Sequence, residues 1–150
     1  MDNDSELFDW TVRNAVYATI VERTVPPTAD EIATALGDSP DDVRSAYERL
    51  NDRHALFLTP GTHDVRMAHP FSGVPTAFRV EANGRTYWAN CAWDALGIPA
   101  ALHADARIEA PIEGGESTRF AIEAGQPKGW HGVVHFPLPV RRWYDDLIET

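Results

Sequence analysis

Cysteine occurs once in these 150 residues, as Cys91, and lysine once, as Lys128. A single cysteine excludes an internal disulfide, so nothing in its use argues for secretion. No uninterrupted apolar run approaches the ~20 residues that a membrane helix needs. The opening Met1-Asp2-Asn3-Asp4-Ser5-Glu6 is acidic where a secretory leader is basic. The expected location is therefore the cytoplasm, away from the membrane. Also missing are a phosphate-cradling glycine loop, a His-Glu-x-x-His helix, a Cys-x-x-Cys pair and a Gly-x-Ser-x-Gly elbow. No organic cofactor is expected. Basic residues are few, 13 against 23 acids, for a net charge of −10.

What is present fits one ordinary domain or two very small ones. Residues 1–63 read as a helical module. From Ser5 to Arg23, the residues Leu7, Phe8, Val12, Val16, Ile20 and Val21 recur at roughly helical spacing until Pro26-Pro27. Thr28-Ala29-Asp30-Glu31 has the form of a capping box and opens a second helix that ends at Gly37. Ser39-Pro40-Asp41-Asp42 opens a third, with Val43, Ala46, Tyr47 and Leu50 on its apolar face. Ala55 to Leu58 and Val65 to Met67 then form an expected hairpin. Three helices and a hairpin make a winged-helix-like pattern, and with it the hypothesis of an acidic winged-helix regulator. Charge opposes DNA binding: residues 1–63 carry five arginines against twelve acids, a net of −7, whereas phosphate contacts supply most of a DNA-binding domain's affinity.

Residues 64–150 alternate strands and turns. Ala77 to Ala82 and Arg85 to Trp88 flank Asn83-Gly84, a strong hairpin signal. Ala92 to Leu96 reads as a short helix closed by Gly97 and Pro99. Arg107 to Ala110 pairs with Thr118 to Glu123, and Val133 to Leu138 is expected as a further strand. The fold class is α+β: a three-helix module followed by a largely antiparallel sheet with short helices.

Cys91 lies in Trp88-Ala89-Asn90-Cys91-Ala92-Trp93-Asp94. A helix starting at the cysteine places Asp94 on the same face, close enough to share a proton or a bound atom. A helix N-terminus also lowers a thiol's pKa. Trp88 and Trp93 are candidates to wall an apolar pocket. The plainer reading is a buried, inert cysteine among packed tryptophans beside a solvated aspartate. Among the six histidines only His131 and His135 are near neighbours. On a strand they share a face, and they make a weak candidate metal pair.

The runs Met67 to Val80, Gly84 to Ala100, Ala104 to Ile108 and Val133 to Pro139, centred on Asn90-Cys91-Ala92-Trp93-Asp94, resemble the alkylmercury lyase family. The resemblance implies a protein that cleaves carbon–mercury bonds by protonolysis and passes mercury(II) to thiols. It implies Cys91 as the mercury-binding thiolate and Asp94 as proton donor and second metal ligand. It also implies an organomercurial as substrate, low-molecular-weight thiols as acceptors and a mercuric ion reductase as downstream partner. In this family the helical module packs on the catalytic part. The family's second catalytic cysteine is expected beyond Thr150, so no residue here matches it, and a further family cysteine falls near Ile112. A soft metal selects thiolate ligands, so the loss of one sulfur matters chemically. His131, His135 or a small thiol is a candidate replacement. The alternative function is a non-catalytic module that binds or senses mercury or another soft metal through Cys91.

Overall fold

The computed structural model describes residues 3–130, 132–136, 139 and 142–143. Helix α1 (Asn3–Arg23) buries Val12, Val16 and Ile20, one residue per helical turn, whereas Leu7 and Val21 are exposed. Helix α2 (Ala29–Leu36) begins with the expected capping box: the Thr28 hydroxyl accepts from the Glu31 amide, and the Glu31 carboxylate accepts from the Thr28 amide at 2.8 Å. It ends on Gly37 at φ +75°, a left-handed conformation that glycine adopts without Cβ strain. In helix α3 (Pro40–Asp52), Ser39 is the N-cap, and Val43, Ala46, Tyr47 and Leu50 are all buried.

Eight strands follow: β1 (Phe57–Leu58), β2 (Val65–Ala68), β3 (Phe71–Ser72), β4 (Phe78–Ala82), β5 (Arg85–Ala89), β6 (Ala106–Pro111), β7 (Ser117–Glu123) and β8 (Gln126–Lys128). They form one sheet in the order β1-β2-β3-β5-β4-β6-β7-β8, antiparallel throughout. The β1–β2 pair thus runs through β3 into the rest of the sheet. Val80, Tyr87, Ile108 and Phe120 align across one face and join the helices in a single apolar core. Arg79, Trp88 and Glu109 align on the other face, where a shallow cleft of about 480 Å³ is lined by Arg79, Arg107, Glu109 and Arg119.

Two expectations are corrected. Helix α4 (Ala92–Leu102) runs through Gly97 and Pro99 and ends at His103. Burial of Ala95, Ile98 and Pro99 against the sheet outweighs the hydrogen bond that Pro99 removes. Gly97 is a close-approach position rather than a stop, since a Cβ there would lie 3.1 Å from Pro70 Cβ. Residues 133–136 form no strand: Val133 is 86% exposed, and Phe136 turns back to meet Trp93. Residues 137 and 138, the rest of that expected strand, lie outside the described residues.

Candidate functional site

Strand β5 delivers Cys91 to the start of α4. The chain leaves the sheet after Ala89, Asn90 makes the turn, and Cys91 takes the N-cap position at φ −152°, its carbonyl accepting the first helical hydrogen bond from Ala95 at 3.0 Å. One turn on, Asp94 is buried, with 7% of its surface exposed. Because β3 pairs with β5 through Phe71 and Ala89, the two-residue turn His69-Pro70, which links β2 to β3, lies beside this helix start.

That turn supplies a partner for the carboxylate. His69 Nδ1 lies 3.2 Å from Asp94 Oδ2, and Asn90 Nδ2 donates to the same oxygen at 2.9 Å. Asn90 also donates to the Phe71 carbonyl at 3.4 Å, tying the helix start to β3. An ionised carboxylate only accepts, so the His69 tautomer that fits this contact carries its hydrogen on Nδ1. The Phe57 ring stands edge-on to His69, with centroids 5.2 Å apart.

Helix α1 reaches the site from behind. The Tyr17 hydroxyl donates to the His69 carbonyl at 2.8 Å and accepts from Arg13 Nη2 at 3.1 Å; Arg13 Nε in turn donates to the Ala55 carbonyl. Burial raises the Tyr17 pKa, and the Asp94 charge pushes the same way against Arg13. The tyrosine therefore stays a neutral donor.

The Cys91 thiol is half-buried, and its pKa is raised from 9.0. Burial is the main cause; the neighbouring Asp94 carboxylate also disfavours the thiolate, by its charge and by accepting from the thiol. The amides of Asp94 and Trp93 pull the other way. This corrects the expectation that the helix N-terminus leaves the thiol activated: the helix effect is present, but desolvation and the adjacent carboxylate outweigh it. Burial and the adjacent Asp94 carboxylate thus both favour the protonated form of Cys91.

Cys91 and Asp94 are thus brought together. Trp93 is 58% exposed and meets Phe136 edge-on at 6.1 Å, and Phe136 stacks on Trp143 at 5.1 Å. Trp88 stands on the opposite face of β5 from Tyr87 and Ala89, level with Arg79. His135 is exposed outside any strand, and its expected partner His131 lies outside the described residues. Among the described residues, no group of three or more His, Cys, Asp or Glu side chains is placed to hold a metal ion.

His69, Asn90, Tyr17 and Arg13 escaped the sequence reading as site residues. The first two stand inside the runs that carry the family resemblance, and that was the available signal. The arginines of α3 and of its C-cap are all engaged within the protein: Arg44 pairs with Asp30 and Asp41, and Arg49 and the C-cap Arg53 converge on Asp9, which is fully buried. Among the described residues no helix is long and apolar enough to cross a membrane.

A thiol at a helix N-cap, a buried carboxylate one turn later and an antiparallel sheet beneath them make this an α+β protein with a candidate cysteine–aspartate site. The family profile described as alkylmercury lyase (MerB) matches residues 71–148, which include both side chains. The match spans more than half of the sequence, and the chain belongs to the alkylmercury lyase family. Among solved structures, the mercury-bound form of MerB2 is similar, with a TM-score of 0.66 and 22% identity over 79% of this chain and 57% of that one. This chain thus spans a little over half the length of that relative. No curated protein matches it.

Proposed function

We propose that the chain cleaves carbon–mercury bonds by protonolysis at Cys91 and Asp94. The observation that carries this reading is the half-buried thiol held against a buried carboxylate inside the family-matched segment. In the first step the Cys91 sulfur bonds to the mercury of an organomercurial, its proton passes to Asp94, and the substrate's halide or thiolate departs. A raised thiol pKa suits this exchange, because forming the sulfur–mercury bond is what drives the proton off. In the second step Asp94 returns that proton to carbon; the carbon–mercury bond breaks with its electron pair on carbon, and the hydrocarbon leaves. Mercury(II) remains on Cys91. Low-molecular-weight thiols complete the coordination of an ion held by the Cys91 sulfur and carry it away, toward a reductase that accepts thiol-bound mercury. Trp93, with Phe136 and Trp143, offers an apolar aromatic surface for the organic group.

The test is anaerobic incubation with an arylmercury compound and excess small thiol, following the free arene. The parent is expected to turn over repeatedly, whereas Cys91→Ser and Asp94→Ala lose about 100-fold or more, the usual scale for a positioned proton donor. One-to-one mercury binding without arene release would instead identify a binding or sensing module on a lyase scaffold.

A further inference from the structure

The Asp94 carboxylate is held asymmetrically. Two donors from different parts of the chain, the imidazole of the β2–β3 turn and the side-chain amide that precedes the cysteine, converge on Oδ2. We propose that His69 and Asn90 are positioning residues that lock Asp94 through Oδ2 and thereby make Oδ1 the oxygen that exchanges the proton with sulfur and carbon. The inference rests on the lyase reading of Cys91 and Asp94.

The argument is one of valence and reach. The Asn90 amide nitrogen has hydrogens to give and no lone pair to receive one, so an Oδ2 occupied by Asn90 and His69 is a poor seat for the carboxyl proton. Two donors on one oxygen also fix the rotation of the carboxyl plane, which a single contact leaves free. Each donor is itself tied down. Asn90 holds the Phe71 carbonyl, while the His69 ring is braced by Phe57 and its carbonyl is held by Tyr17. Proton transfer to carbon depends steeply on such alignment, and groups that orient a reacting side chain typically contribute about 10- to 100-fold. The role assigned to His69 is donation from Nδ1 and needs no change in its charge. An asparagine at position 69, whose Nδ2 takes the place of the imidazole Nδ1, is therefore expected to serve.

The deciding experiment is single-turnover arene release by the parent, His69→Leu, His69→Asn and Asn90→Leu, with KM and mercurial capture at Cys91 measured beside it. Capture also verifies that each variant is folded. The expected result is a roughly 10- to 100-fold slower release in His69→Leu and Asn90→Leu at unchanged KM and capture, with His69→Asn returning most of the rate. Release by His69→Leu at the parent's rate, or a His69→Asn protein as slow as His69→Leu, overturns the positioning role and leaves the lyase reading standing. A parent that captures the mercurial but releases no arene overturns the lyase reading itself, and this inference with it. Imidazole ¹⁵N shifts give a readout independent of turnover: the Nδ1–H tautomer is expected for His69, and an Nε2–H tautomer contradicts the clamp.

Discussion

The thiol of Cys91 faces two opposed influences, and their balance sets how it reacts. Backbone amides at the start of α4 favour the thiolate; burial and the Asp94 carboxylate oppose it and prevail. Because the pKa is raised, the thiolate fraction at neutral pH is small and the alkylation rate climbs about tenfold per pH unit up to that pKa. Replacing Asp94 with Asn removes a negative charge and weakens the acceptor for the thiol proton, so the pKa falls and iodoacetamide reacts faster at pH 7 to 8. Rate against pH for parent and Asp94→Asn measures this; an unchanged or slower variant contradicts it. The pair Cys91 and Asp94 was legible in the sequence because both residues lie on one helical turn. His69 was not, since 25 residues separate it from Asp94 and only the pairing of β3 with β5 brings them together. Tyr17 stands 52 residues before the carbonyl it bonds, on a helix whose local pattern speaks only of an apolar stripe. The direction of the thiol's shift was hidden for a similar reason: burial comes from distant chain, whereas the helix effect is local.

At the scale of elements, the three N-terminal helices were legible nearly to the residue because their signals are local: a capping box, a serine cap before proline, a glycine stop. What no local signal announced is the buried ion cluster that joins α1 to α3. Asp9 is fully buried, with Arg49 Nη2 at 2.6 Å and Arg53 on its other oxygen. Periodicity marks position 9 as the neighbour of an apolar stripe, and only the crossing of α1 over α3 makes it interior. Asp9→Asn leaves two guanidinium groups without their counter-charge, and a loss of about 3 kcal/mol is expected, read as a lower unfolding midpoint in urea. A change below about 0.5 kcal/mol would mean that solvent satisfies the arginines as well as Asp9 does. In α4 the local signals misled. Gly97 and Pro99 both read as helix stops, yet the first allows Pro70 to approach and the second is packed on the sheet. Burial of one face, at Asp94, Ala95, Ile98 and Pro99, overrides the local propensity here.

For the whole molecule, the antiparallel α+β plan followed from hairpins with strong turn residues, but the strand order did not. The two-residue β3 is too short to announce itself, yet it carries the helical module's hairpin into the rest of the sheet and sets His69 beside α4. The apolar run from Val133 misled in the opposite sense: it looks like a strand, but the described sheet ends at β8, and Phe136 turns to the aromatic group at Trp93. The rim at β8 governs how the protein behaves in company. The outermost described strand on that side reads Gln126-Pro127-Lys128 and is exposed throughout. Its proline has no amide hydrogen to offer an incoming strand, and the chain's only lysine places a charge on the same rim. Among the described strands, that rim thereby resists pairing with a further strand, and the parent is expected to stay dispersed as its concentration rises. The double substitution Pro127→Val with Lys128→Thr restores the amide hydrogen, removes the charge and reopens the rim. Concentration-dependent light scattering is expected to rise for that double variant while the parent's stays flat.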